Sequence, residues 1–147
     1  MDTFFAILRS THYFVMVGIL IFLVFTIGKF SFKKSSGDAF GVMEDKTTLI
    51  VMILAHVQLL IGIILLTVGP MSGNFANMGA VMKDSYLRMM VVEHPLTMII
   101  GVALITIGRI KLKKKTESAD KYKTAIIFFS IALVLFLIRI PWSHLNG

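Results

Sequence analysis

Cysteine is absent from this sequence of 147 residues, and charged residues and proline are scarce. Without cysteine the chain can form no disulfide, no thiolate metal site and no covalent c-type haem through a C-x-x-C-H motif. It also contains no P-loop, no dinucleotide-binding fingerprint and no H-E-x-x-H protease motif. These absences exclude several common enzyme classes and direct attention to the apolar residues that form most of the chain.

Apolar residues make up 56% of the chain and charged residues only 16%, whereas about a quarter of a soluble domain is charged. The apolar residues cluster into four segments with the composition of membrane spans, at residues 4–27, 49–68, 86–107 and 125–140. The connections between these segments are too short to form a core of their own. The sequence therefore predicts one all-α integral membrane domain over residues 1–147, an up-down-up-down four-helix bundle.

Basic residues predict the orientation of the bundle. Of the 15 lysines and arginines, four lie between the first and second spans and seven between the third and fourth. The positive-inside rule then places these two connections in the cytoplasm and both termini outside, which for a bacterial inner membrane is the periplasm. Topology and contact with anionic lipid account for the net charge of +7, so no nucleic-acid partner is expected.

Three histidines lie inside the predicted spans: His12 in the first, His56 in the second and His94 in the third. Ionisable side chains are costly within a bilayer and are by default candidates for function. Counted from the outer ends of their spans, His12 and His94 are both about 10–12 Å deep, and His56 is about 18 Å deep. The alternative for each histidine is a hydrogen bond that joins two helices. The fourth histidine, His144, follows the last span.

The depths of His12 and His94 suit a shared ligand. The first and third helices of such a bundle lie on one diagonal, and cofactor sites in bundles are built from facing side chains. A flat macrocycle held by two imidazoles needs its ligands at one depth on opposite faces, and this pair meets both conditions. Gly101 and Gly108 follow His94 at heptad spacing and leave room for such a ring or for close packing of another helix. His56 remains an alternative axial ligand or a candidate for proton transfer.

The segment VVEHPLTMIIG, residues 91–101, places an acid, an imidazole and a helix breaker side by side. Pro95 has no N–H to donate to the carbonyl of Val91, which frees a backbone acceptor next to His94. A helix that began at Pro95 would be too short to cross the bilayer. We therefore expect one continuous helix with a proline kink beside His94.

Three arginines, Arg9, Arg88 and Arg139, lie in the outer thirds of their spans. Their guanidinium groups suit bidentate contacts to the propionates of a haem. They are equally suited to reach lipid headgroups or to pair with Glu93. The sequence leaves these alternatives open.

Ten methionines give rise to a second hypothesis. Met71, Met78 and Met82 lie together in the outer connection PMSGNFANMGAVM, and thioether ligands select copper. Methionine is also ordinary apolar bulk that fills gaps between helices. Copper or small-solute transport is therefore one alternative function, and a non-catalytic accessory membrane subunit is another.

Three stretches of the chain carry a resemblance to a known family. They are AHVQLLIGIILLTVGP at 55–70, YLRMMVVEHPLTMIIGVALITIGRIKLKKK at 86–115 and IALVLFLIRIPW at 131–142. They resemble the small four-span, cytochrome-b-like membrane proteins of bacteria, especially those of Bacteroidetes type. The first stretch also resembles a span of the haem A synthase family. The resemblance implies a non-covalent haem b with histidine axial ligands. His12 is chosen as one of them for a different reason, namely that its helix lies diagonally opposite the helix of His94.

A haem iron with two histidine ligands has no vacant position for oxygen or substrate, so such a protein carries single electrons. We therefore expect an electron-transfer component rather than a stand-alone enzyme. The iron ligands would be His94 and His12, with His56 as the alternative. The expected partners are the lipid bilayer and a quinone or a second redox subunit, and a homo-oligomer remains open.

Overall fold

The structure is a computed structural model that describes residues 2–142. His144 lies outside the described residues. Four long helices dominate: α1 (Asp2–Ser35), α2 (Val42–Thr67), α5 (His94–Lys113) and α6 (Ser118–Arg139). Before α5 come a 3-10 segment (Ser72–Asn77), α3 (Met78–Lys83), α4 (Ser85–Arg88) and a π-helical turn (Met89–Glu93). The described part of the chain contains no strand, and the predicted all-α class is confirmed.

Four helices are long and apolar enough to cross a membrane: Asp2–Ser35, Val42–Thr67, Ser85–Lys113 and Ser118–Arg139. Each covers a predicted span to within one residue. Each also continues past that span by several residues, always at the end where the lysines cluster. Lysine and glutamate are good helix formers outside hydrocarbon, so apolar length alone underestimates these helices.

The four long helices form a ring of neighbours. α1 packs against α2 and α6, and α5 packs against the same two helices. α1 and α5 therefore lie on one diagonal and α2 and α6 on the other, as predicted for an up-down-up-down bundle. The core between them is formed by fully buried side chains that include Leu23, Phe30, Ile105, Tyr122 and Phe129.

Large apolar side chains cover the outside of the bundle. On α1 alone, Phe14, Phe25 and Phe32 expose 70%, 60% and 72% of their surface. A soluble monomer rarely exposes apolar surface on this scale, whereas hydrocarbon is a favourable solvent for it. Helix length, composition and this apolar surface make the chain a multi-pass membrane protein in contact with a lipid bilayer.

At one end of the bundle α1 and α5 end and α2 and α6 begin; we call it the basic end. Arg109 is buried there, with 6% of its surface exposed. Its guanidinium donates to the backbone carbonyl of Asp45 (2.8 Å), to the Asp45 carboxylate (3.3 Å) and to the Thr48 hydroxyl. From the sequence we counted Arg109 with the residues of a connection. The structure instead places it inside the bundle, where it ties α5 to α2.

Candidate functional site

The opposite end of the bundle, which we call the histidine end, holds His12 and His94. Their ring centroids lie 6.3 Å apart with the ring planes at 77°. Both side chains are partly buried, one on α1 and one at the start of α5. The two histidines that the sequence places on diagonal helices therefore lie close together in the structure.

The structure does not place His56 beside His12 and His94. Its residue is exposed on the outer surface of α2. Its ring Nδ1 lies 2.8 Å from the carbonyl of Met52, one turn earlier in the same helix. An imidazole that bonds to its own helix in this way satisfies one nitrogen locally and joins no other helix.

His94 is oriented by the last turn of α6. Its Nδ1 lies 2.7 Å from the backbone carbonyl of Arg139. A carbonyl only accepts, so Nδ1 carries the proton and donates it, and Nε2 keeps a free lone pair. A hydrogen bond to the far nitrogen is the usual way in which proteins set the tautomer of a histidine that ligates a metal.

The backbone beside His94 is a π-helical turn. The turn runs over Met89–Glu93, and the N–H of His94 bonds to the carbonyl of Met89 five residues earlier. Pro95 follows directly and cannot donate to the helix. The helix is continuous through Pro95, as predicted, but a π-helical turn takes up the missing hydrogen bond. Such turns are frequent at functional sites.

His12 lacks the orientation that His94 has. Its Nδ1 is buried without a hydrogen-bond partner among the described residues. The backbone carbonyl of His12 accepts a hydrogen bond of 2.7 Å from Nε2 of Gln58, whose own Oε1 is likewise buried and unpaired. An unsatisfied buried polar atom costs about 1–3 kcal/mol. Neither atom has a partner among the described residues that would offset this cost.

Gly62 allows the His12 ring to approach α2. A Cβ atom at Gly62 would lie 3.2 Å from Cε1 of His12, which is closer than an ordinary van der Waals contact. Gln58 and Gly62 are one turn apart, so both belong to the face of α2 that looks into the bundle. We did not predict either of them as a site residue. The sequence held one signal for Gln58, since it lies about 200° around the helix from His56 and so belongs to the opposite face of α2.

The glycines below His94 serve helix packing. A Cβ atom at Gly101 would collide with the ring of Phe136 and come within 2.9 Å of its Cδ1. A Cβ at Gly108 would come within 2.5 Å of Cβ of Phe128. Of the two interpretations that the sequence allowed for these glycines, close packing of another helix is the one that the structure adopts.

Glu93 pairs with two of the three outer arginines. Its carboxylate lies 3.1 Å from Nε of Arg88 and 3.8 Å from Nη1 of Arg139. Arg9 is exposed and makes no ion pair with any residue from 2 to 142. It lines a groove of about 210 Å³ between α1 and α2 together with Asp2, Phe5, Ala6, Leu65 and Pro70. Pairing with Glu93, one of the alternatives that the sequence left open, thus applies to Arg88 and Arg139.

The spacing of the two imidazoles can be compared with that of a metal site. An imidazole nitrogen binds a metal at about 2.0–2.1 Å, and the ring centre lies about 1.1 Å beyond it, so two imidazoles on opposite sides of one atom have centroids about 6.3 Å apart. The observed separation is 6.3 Å. The distance between the two rings therefore matches that of two histidines on either side of one metal atom.

No protein-family model, no curated protein and no solved structure matches this chain. The likeness to cytochrome-b-like proteins therefore stays a prediction.

Proposed function

We propose that this protein is a membrane haem b protein that carries single electrons, in which His12 and His94 would hold the iron. The observation that carries the proposal is the 6.3 Å separation of the two rings across the bundle. When bound, the haem would supply one-electron chemistry. The role of the chain is to hold the two imidazoles, to orient them and to exclude water.

The number of protein donors favours a haem over a bare ion. No group of three or more histidine, cysteine, aspartate or glutamate residues that could hold a metal occurs within residues 2–142. A structural zinc site needs four protein ligands and a catalytic one needs three. A haem brings four nitrogens of its own, so two imidazoles complete its coordination.

The surroundings of the pair also suit this role. The carbonyl of Arg139 holds the proton of His94 on Nδ1 and leaves Nε2 for the iron. The Arg88 and Arg139 guanidinium groups lie beside the site and share a single carboxylate, that of Glu93. Two cations with one acid leave a positive balance, which suits haem propionates.

His12 would need a partner for its Nδ1–H in the same arrangement. Gln58 offers an unpaired acceptor, Oε1, on the facing helix. A water molecule within hydrogen-bonding distance of both atoms would satisfy them. Gln58 is then a positioning residue for His12.

We further propose that the histidine end faces the periplasm of a bacterial inner membrane, because the basic residues cluster at the opposite end. The electron-transfer partner would be a membrane quinone or a second redox subunit. A lipid-soluble carrier could reach the bundle from the bilayer, since apolar side chains cover its outer surface.

The test is a dithionite-reduced minus oxidised absorption spectrum of protein purified from haem-sufficient cells. The variants are His12→Ala and His94→Ala, with His56→Ala as a matched control because its ring bonds only to its own helix. We expect a Soret shift and a sharp alpha band in the wild type and in His56→Ala. Both features should be lost or strongly reduced in His12→Ala and His94→Ala.

Circular dichroism of each preparation separates loss of haem from loss of folding. A spectrum without haem bands from helical wild-type protein at full yield would overturn the proposal. Bands that disappear in His56→Ala but persist in His12→Ala would overturn the choice of ligands and restore the alternative pair. Methionine-dependent copper binding without a Soret band would favour the transport hypothesis.

A further inference from the structure

A groove of about 400 Å³ lies between α1 and α6 at the basic end. It is lined by Ser31, Lys34, Ser35, Lys123, Ile126 and Ile127. The groove is remote from the histidine pair, so the inference drawn from it does not depend on the proposed haem.

The two lysines of this groove differ from most other lysines at the same end. Lys33 and Lys29 pair with Glu44 at 2.7 Å and 3.6 Å. Lys113 lies 3.8 Å from the Asp45 carboxylate, while Lys111 and Lys121 lie over the rings of Phe128 and Phe40. By contrast, Lys34 and Lys123 have neither an ion pair nor an aromatic contact with any residue from 2 to 142. No acidic side chain lines the groove, so its local charge is positive and uncompensated.

The lining changes from polar to apolar along the helices. Lys34 and Ser35 lie in the last turn of α1, beyond the apolar segment that ends near residue 27. Ile126 and Ile127 lie just inside the apolar segment of α6, and Ile127 exposes 46% of its surface. The groove therefore crosses the boundary between headgroup and hydrocarbon, with its cations on the headgroup side.

The serine hydroxyls contribute polar surface without competing for the lysines. Ser31 donates to the carbonyl of Ile27 (2.8 Å) and Ser35 donates to the carbonyl of Ser31 (3.0 Å). Their protons are thereby occupied within α1. An anion in the groove would be bound through the two ammonium groups, which are its unpaired donors.

We propose that this groove binds an anionic phospholipid of the bilayer. Its phosphate lies between Lys34 and Lys123, and an acyl chain lies along Ile126 and Ile127. Charge complementarity decides the ligand, because two unpaired cations without an acid select an anionic headgroup over a zwitterionic one. The change from polar to apolar lining indicates that the anion is a lipid, because a free phosphate has no apolar part that could contact the isoleucines.

The test compares two double variants that lose the same charge. Lys34→Gln/Lys123→Gln removes both cations of the groove. Lys46→Gln/Lys115→Gln is the control, because it removes two exposed lysines at the same end that do not line the groove. Bound lipid is counted by native mass spectrometry of the full chain in detergent, at a fixed concentration of phosphatidylglycerol or phosphatidylcholine.

A lysine near an anionic membrane surface contributes roughly fivefold in affinity. We therefore expect the groove variant to bind phosphatidylglycerol at least tenfold more weakly and the control within twofold of wild type. Wild-type protein should bind phosphatidylcholine much more weakly than phosphatidylglycerol. Equal losses in the two double variants would mean diffuse attraction and would overturn the site. Equal binding of the two lipids by wild type would overturn the charge selection.

Discussion

The two ends of the bundle differ in whether their buried polar groups have hydrogen-bond or ion-pair partners. At the basic end, Arg109 and Glu44 expose only 6% and 4% of their surface. Even so, the guanidinium pairs with Asp45 and the Glu44 carboxylate accepts from Lys33. At the histidine end, Nδ1 of His12 and Oε1 of Gln58 are buried with no partner in the described chain.

Aromatic packing follows the same division. Phe30, Phe40 and Tyr122 form a three-ring cluster at the basic end, with centroids 5.0–5.7 Å apart. The Tyr122 hydroxyl donates to the carbonyl of Ala39 (3.0 Å), which holds the first connection against α6. Edge-to-face ring pairs such as those of this cluster stabilise a fold by about 0.5–1.5 kcal/mol each. At the histidine end the two rings that face each other from different helices are the imidazoles of His12 and His94.

The basic end, with its paired groups, is therefore the end expected to stabilise the bundle, and the histidine end is the one where a ligand is expected. Pairing offsets part of the cost of a buried charge, whereas an unpaired buried group retains its full cost. Natural folds keep few such groups, and each calls for a specific explanation. A bound ligand or water would supply the missing partners of His12 and Gln58. The unpaired hydroxyl of Thr26 lies in the half of α1 nearer the basic end, so it is an exception to this division, and nothing in the structure explains it.

The largest effect is expected from Asp45→Ala at the basic end. This change removes the carboxylate from Arg109 and leaves a buried guanidinium without its counter-charge. We expect a loss of about 2–3 kcal/mol in the free energy of unfolding, below the full cost for a buried pair because the Asp45 side chain is 37% exposed. The measurement is an SDS titration in micelles followed by circular dichroism.

Lys113→Gln is the matched control for that experiment. Lys113 reaches the same carboxylate at 3.8 Å, but its side chain is 56% exposed. Exposed pairs contribute little, so a change below about 0.5 kcal/mol is expected. An equal loss in both variants would mean that net charge, rather than burial of Arg109, governs the stability of this end.

A smaller effect is expected from Gly101→Ala, between the two ends. The added methyl collides with the ring of Phe136, which is itself 7% exposed. Overpacking of this kind costs about 1–3 kcal/mol. Gly18→Ala is the control, because no atom lies within 4 Å of a Cβ there. The same SDS titration should show unchanged or slightly raised stability for Gly18→Ala, and the second change Phe136→Leu should restore part of the loss in Gly101→Ala.

The smallest effect is expected from Gln58→Leu at the histidine end. Leucine loses one hydrogen bond to the His12 carbonyl but also removes an unpaired buried acceptor. These terms oppose each other and each is about 1 kcal/mol, so the free energy of unfolding should change by less than about 1 kcal/mol. A loss as large as that in Asp45→Ala would show that the two ends are equally built for stability, and the comparison would fail.

Several features of the bundle could be predicted from the sequence. Hydropathy located the outer ends of the four spans to within two residues. Counting residues along the helix axis placed His12 and His94 at one depth, and the structure confirms that they meet. Both predictions use quantities that belong to a single segment, namely its apolar length and its rise per residue.

Other features could not be read in this way. Arg109 was assigned to a connection, because a local count cannot detect its partners on another helix, Asp45 and Thr48, which lie 64 and 61 residues earlier in the chain. Whether Gly101 makes room for a cofactor or for Phe136 depends on the side chain that the neighbouring helix presents. The π-helical turn before Pro95 is a further example. A helix can adapt to the missing N–H of a proline by kinking or by forming such a turn, and the local sequence does not show which.

The sequence by itself determined that this chain forms four membrane-spanning helices, with basic residues at one end and histidines towards the other, because the cost of placing polar residues in hydrocarbon acts on each residue separately. Only the tertiary structure decided that His56 turns outward, away from His12 and His94, and that Glu93 pairs with both Arg88 and Arg139. The direction in which a side chain points depends on the rotation of its helix, and that rotation is set by packing against the neighbouring helices.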